Sequence, residues 1–175
     1  TALSPCSQRT ARNLRSTNMT VCCALLTTPL GTLALEATEQ GLTGLRFAHR
    51  KKSGADGQDK HPILALAKRE LTAYFAQRLT RFTVPLDWRG TPFQESVWEA
   101  LLDIPFGETV SYGDIARAID RPRSARPVGG AVGRNPLPII VPCHRVIGSD
   151  QTLTGFTGGL NIKVALLELE GRRID

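Results

Sequence analysis

Two reciprocal capping signatures constrain this chain more than any other feature. "TPFQ" at 91 to 94 combines a Thr91 N-cap, Pro92 at the first helical position and Gln94 at the third, and "SYGD" at 111 to 114 repeats the device with Ser111 and Asp114. The first opens a helix whose buried face is Phe93, Val97, Trp98 and Leu101, ended by "IPFG"; the second puts Tyr112 in the first turn of a helix running to Ile119. Both helices must be short. A break at "DRP" separates the second from a further helix over 123 to 134, and two short helices so tightly joined predict a helix-turn-helix. Its "GGA" centre is costly, at about 1 kcal/mol per interior glycine relative to alanine, so something should approach that backbone closely. Pro127 is tolerable there only within the first turn.

The remaining punctuation sorts the rest of the chain. "VCCALLT", "TLALEA" and "LTGLRFA", parted by turns at "TPLG" and "EQG", read as an antiparallel meander. A charged, glycine-containing loop at 49 to 60 leads to a helix over 62 to 79 with Leu64, Leu71 and Phe75 on one face. After the helix pair, Asn135 precedes a proline and must be extended, Pro138 and Pro142 bracket an apolar strand at 139 to 141, and a glycine-rich loop, "GSDQTLTGFTGG", leads to a closing helix over 160 to 170 stopped by Gly171. The expected fold class is α/β in the α+β sense. A basic, flexible tail at 1 to 18 precedes a small N-terminal domain of antiparallel sheet plus helix at 19 to 89, and a mainly helical, winged-helix-like domain with the helix-turn-helix follows at 90 to 175.

Charge narrows the partners. With 22 Lys and Arg against 16 Asp and Glu, the net charge is +6, which favours nucleic acid first and an anionic membrane surface second. Arg117, Arg121, Arg123, Arg126, Arg134 and Arg145 are accompanied by one acid, Asp120, and read as a local basic patch. Cys6, Cys22, Cys23 and Cys143 are too few and too unevenly spread for a secreted disulfide framework, so the thiols are expected reduced and the compartment intracellular. "SQRTARNLRST" before "VCCALL" only imitates a signal peptide, because "TTPLG" breaks the apolar run, and no stretch has transmembrane length. An acid-free transit peptide stays open beside the tail reading.

"IIVPCHRVIG", 139 to 148, sets Cys143 beside His144. A free thiol titrates near about 8.5 and attacks only as thiolate, so a nearby imidazole would activate it. The two side chains cannot face the same way in an extended strand; the pair works only if the chain turns after Pro142. Glu170 is a candidate by position for the carboxylate that orients the base. On the residues alone, a small buried cysteine remains the stronger reading. No cysteine and histidine spacing suggests a metal.

The order "GETVSYGDIA", "RSARPVGGAVGRNP", "IIVPCHRVIG", "TGFTGG" over roughly the last 90 residues resembles the O6-alkylguanine-DNA alkyltransferases, and "TTPLGTLALEATEQGL" fits that family's smaller N-terminal domain. The resemblance implies direct-reversal DNA repair without a cofactor: an alkyl group on guanine O6, or O4-alkylthymine as an open second substrate, passes irreversibly to the protein's own cysteine in a single turnover. Cys143 matches the acceptor and His144 the base that draws its proton through a bound water. Glu170 matches the carboxylate orienting that base, Asn135 the brace of the turn, and Tyr112 the donor to guanine N3. Arg126 matches the residue that fills the stack when the nucleotide is flipped. Ser111, Gly129, Gly130, Ala131 and Arg134 are expected against DNA in the minor groove, and Val146, Phe156, Thr157 and Gly158 around the flipped base.

Three departures from the family pattern stand out. Phe156 replaces a common tyrosine, Pro127 replaces a small residue, and Thr38 and Thr43 occupy the positions of zinc ligands in animal members, so no metal is expected. The implied protein is a monomer, with cooperative packing along DNA left open, off the membrane, and cytoplasmic or, in a eukaryote, nuclear. Two competitors remain: a lesion-flagging relative that transfers nothing, against which Cys143 argues, and a thiol peroxidase or cysteine hydrolase, which leaves the arginine-glycine helix unexplained.

Overall fold

A computed structural model of the chain describes residues 9–11, 19–48 and 61–172. They fall into two compact units, one reaching to Trp88 and the other starting at Arg89.

The first unit is an antiparallel sheet in the order β1-β2-β3-β4, formed by β1 (Arg9–Ala11), β2 (Met19–Thr28), β3 (Gly31–Ala37) and β4 (Leu42–Ala48). Leu33, Leu35 and Ala37 alternate inward along β3, the period-two signature of a sheet with one buried face. The β2–β3 hairpin closes with Thr28 opposite Gly31, where a φ of +111° suits glycine. Helix α1 (Pro62–Phe75) buries Ile63, Leu64, Ala67, Leu71 and Tyr74. The buried Glu70 carboxylate accepts from the backbone N–H groups of Thr83 (2.9 Å) and Val84 (3.1 Å), tying down the segment that follows α1.

Several expectations change here. β1 pairs with β2 inside the stretch read as a flexible tail; the rest of 1 to 18, and the loop expected at 49 to 60, lie outside the described residues. Helix α1 stops at Phe75 rather than 79, because the chain enters a left-handed conformation at Gln77 (φ 56°). Tyr74, fully buried, takes the inward place expected for Phe75, which packs edge-on against it at 5.4 Å.

The second unit contains α2 (Pro92–Leu102), α3 (Tyr112–Ala118), α4 (Ala125–Val132) and α5 (Leu160–Leu169), with a parallel two-stranded pair of β5 (Val110–Ser111) and β6 (Val146–Ile147). Both capping boxes form, at Thr91/Gln94 and Ser111/Asp114. α3 and α4 make the helix-turn-helix, with α2 packed behind them. Helix α4 is shorter than expected at both ends and places Pro127 in its first turn, where no backbone donor is needed. Residues 139 to 141 are not a strand. They form a turn closed by Val141 N–H donating to Leu137 O at 2.9 Å, and Ile139 sits there at φ 77°, a conformation a β-branched residue rarely holds. Among the described residues no helix is long and apolar enough to cross a membrane.

Candidate active site and nucleic-acid interface

The turn carrying Cys143 is built by three neighbours. Asn135 donates from Nδ2 to Val141 O (2.8 Å) and accepts at Oδ1 from Leu137 N–H (2.9 Å), pinning both arms of the turn. Cys143 N–H donates to Val141 O at 2.8 Å, and residues Cys143–Arg145 close a single 3-10 turn, so cysteine and histidine do not alternate as they would in a strand. β6 follows at once and pairs with β5, whose last residue is the cap of α3. That pairing ties the start of the Tyr112 helix to the cysteine turn.

His144 is wholly buried. Its Nε2 lies 2.8 Å from Glu170 Oε1, while Nδ1 is buried with no hydrogen-bond partner. With a carboxylate at Nε2, the proton belongs on that nitrogen and Nδ1 is the bare acceptor. Glu170, the C-cap of α5, also accepts from Arg145 Nε and a terminal Arg145 nitrogen, each at 2.9 Å, and from Gly107 N–H at 3.1 Å. The guanidinium donates further to Ile104 O (2.6 Å) and lies over the Phe106 ring. Burial, opposed by Glu170, holds the His144 pKa below its ordinary value, and the cations of Arg145 and Lys163 push it the same way as burial. The resting imidazole is neutral.

Burial also pushes the Cys143 thiol up to about 11, against smaller opposing effects of the Asn135 hydrogen bond and the Lys163 charge. The resting sulfur is therefore a thiol, not a thiolate. Lys163 is buried in α5 and donates to Val146 O (2.6 Å) and Thr154 O (3.0 Å). Desolvation lowers its pKa to about 8, against the pull of Cys143.

Tyr112 lies half-buried, its hydroxyl accepting from Thr154 Oγ1 at 2.9 Å. Helix α4 passes behind it: a Cβ on Gly129 would meet the Tyr112 ring at 3.7 Å, which is ordinary contact. The "GGA" segment thus faces inward more than expected. Gly130 is exposed, but Ala131 is buried and its carbonyl accepts from Trp98 Nε1 at 2.9 Å, so it offers DNA no side chain. Ser111 is engaged in its capping box, accepting from Asp114 N–H at 3.2 Å and donating to Oδ2 at 2.6 Å. Between β6 and α5, Thr157 donates to Gly133 O at 3.3 Å, with Phe156 and Gly158 half-buried beside it.

The basic patch is smaller than six arginines. Arg145 belongs to the buried Glu170 pair, Arg117 is paired with Asp114, and Arg121 lies over the Phe93 ring at 5.9 Å. Arg123, Arg126 and Arg134 are exposed, Arg134 reaching back to Gly130 O at 3.2 Å. Arg126 sits in the first turn of α4 with no hydrogen bond or ion pair among the described residues.

Lys163, Arg145 and Thr154 were not singled out as site residues from the sequence. Lys163 had a signal, a cation on the same helical stripe as the buried Leu166 and Leu167. Arg145 and Thr154 had none. Thr38 is buried and donates to the Asp87 carboxylate at 3.1 Å. No group of three His, Cys, Asp or Glu placed to hold a metal occurs among the described residues.

Both units match a known protein family. Residues 92–172 match the model described as 6-O-methylguanine DNA methyltransferase, DNA binding domain, and residues 21–88 match that of the same family's ribonuclease-like domain. A methylated-DNA–protein-cysteine methyltransferase of Mycobacterium tuberculosis is 51% identical over 147 residues, covering 83% of this chain and 89% of its own; the constitutive Bacillus subtilis protein is 45% identical over 150 residues, covering 82% and 91%. The crystal structure of the M. tuberculosis O6-methylguanine methyltransferase in complex with DNA superposes with a TM-score of 0.75 at 49% identity, over 85% of this chain and 91% of that one. By fold, by both of its units and by identity along most of its length, the chain belongs to the 6-O-methylguanine DNA methyltransferase family.

Proposed function

We propose that this protein repairs DNA by taking the alkyl group of O6-alkylguanine onto Cys143, once per molecule. The observation that carries the reading is a buried thiol in the same 3-10 turn as a neutral imidazole whose other nitrogen is committed to Glu170. His144 Nδ1, buried without a hydrogen-bond partner, accepts the thiol proton through a water that enters with the substrate. As that proton leaves, the Lys163 ammonium offsets the thiolate charge. Sulfur then forms a bond to the alkyl carbon, the bond from that carbon to O6 breaks, and its electron pair stays on guanine. A hydrogen bond from Tyr112 to N3 offsets the charge gathering on the base. The product is a thioether, which water does not cleave under mild conditions, so no turnover follows.

The target atom lies inside the duplex, and flipping costs a few kcal/mol. Arg126, exposed and unpaired in the first turn of α4, fills the vacated stack from the minor groove, with Arg123 and Arg134 against flanking phosphates. Val146 O reads the guanine amino group with the lone pair that Lys163 leaves open. Phe156, Thr157 and Gly158 close over the base.

The test is intact-mass spectrometry after incubation with a duplex carrying one O6-methylguanine, followed by peptide mapping. One added methyl group, on Cys143 and saturating at one per protein, is the expected result. DNA binding without a mass change would instead favour the lesion-flagging reading.

A further inference from the structure

Tyr112 can serve the leaving guanine only as a hydrogen-bond donor, and a phenol hydroxyl left to itself rotates between orientations. In this structure it is not left to itself. Thr154 Oγ1 donates to Tyr112 Oη at 2.9 Å, so one lone pair of the phenol oxygen is occupied and its own proton is directed away from Thr154. Thr154 is held in turn, because its carbonyl accepts from Lys163 Nζ at 3.0 Å. The same ammonium donates to Val146 O at 2.6 Å, one strand residue beyond the cysteine turn. A single buried cation therefore anchors both the loop that carries Thr154 and the strand that follows Cys143.

We propose that Thr154 is a positioning residue for the alkyl transfer: its hydroxyl sets Tyr112 as a donor toward the flipped base, and Lys163 fixes Thr154 for that task. This rests on the function proposed above. The chain of donors runs in one direction, from the Thr154 hydroxyl to the Tyr112 oxygen and from the Tyr112 proton to the base. Each hydrogen bond in such a chain polarises the next, so a phenol already accepting one proton is the better donor of its own. Thr154 touches no reacting atom; it acts through Tyr112 alone.

The experiment is a double-mutant cycle in the full chain, read by single-turnover methyl transfer from a duplex with one O6-methylguanine over a range of protein concentration. Thr154→Val keeps the shape and removes the hydroxyl. It should lower the saturating rate by about fivefold to tenfold, the scale of one hydrogen bond, while the concentration giving half that rate stays unchanged. Thr154→Ser should restore the rate, and in a Tyr112→Phe background Thr154→Val should cost nothing further. Equal losses in both backgrounds, a serine variant as slow as the valine one, or an unchanged saturating rate would each overturn the role of Thr154. The unmodified protein in the same assay separates the two claims: if it transfers nothing to Cys143, the proposed function fails; if it transfers normally, the cycle judges Thr154 alone.

Discussion

His144 Nε2 and Glu170 Oε1 lie 2.8 Å apart, and the same carboxylate is gripped by Arg145 on both oxygens. Glu170 thus orients the imidazole with its charge shared with Arg145, and its pull toward a second ring proton is outweighed by burial. Glu170→Gln keeps the shape but leaves the Arg145 guanidinium buried without its counter-charge. Breaking a buried pair in this way costs about 3–5 kcal/mol, which urea denaturation should read as a large drop in midpoint. Methyl transfer should slow by about 100-fold as the imidazolium loses its partner.

The pH dependence of transfer follows from three shifts. The His144 pKa is lowered, so protonation silences the base only below the ordinary histidine value, and the acid limb should fall there. Lys163 titrates near about 8, and above that pH its charge no longer favours the thiolate, so the rate should decline again. The Cys143 thiol, at about 11, stays protonated throughout and contributes no rising limb. A pH series of single-turnover rates should be bell-shaped, and Lys163→Met should lower the plateau and abolish the alkaline limb. A rate that climbs steadily to pH 9 would contradict this assignment.

That thiol also links stability to pH. Burial raises its folded pKa above the ordinary thiol value, so the folded chain holds the proton longer than the unfolded one. The stabilisation is complete below pH 9 and is lost as pH rises toward about 11, by about 2–3 kcal/mol in all. Urea midpoints compared for the parent protein and Cys143→Ser should diverge over that window, the parent losing more.

Ile139 is fully buried at a φ of 77°. Ile139→Ala loses the packed side chain, at about 2–5 kcal/mol, and keeps the backbone penalty; Ile139→Gly loses one carbon more but removes that penalty. The glycine variant should therefore be the more stable of the two by about 1 kcal/mol, reversing the usual order. Thermal or urea unfolding of the pair decides it.

Arg126→Ala should slow repair of a duplex by about 100-fold, since flipping costs a few kcal/mol, yet barely change reaction with a free O6-alkylguanine base. Equal losses on both substrates would count against Arg126 as the residue that fills the stack.

Local chemistry made much of this protein legible in advance. The capping boxes at Thr91 and Ser111 act within three residues of their own helices, and the strand alternation around Leu33 and Leu35 reports one buried face, so the four-residue signals of the sequence sufficed for α2, α3 and the meander. The motif order around "PCHRV" carried the family. What the sequence could not decide depends on which side chains the folded chain brings together. Residues 139 to 141 look like a strand by composition, but Asn135 bends them into a turn from outside. Arg145 looks like one more surface cation until Glu170, 25 residues later, neutralises it. Lys163 looks like a helix-surface lysine until the carbonyls of Val146 and Thr154 receive it. A buried charge is tolerated only where its counter-groups converge, and that convergence is a property of the tertiary fold.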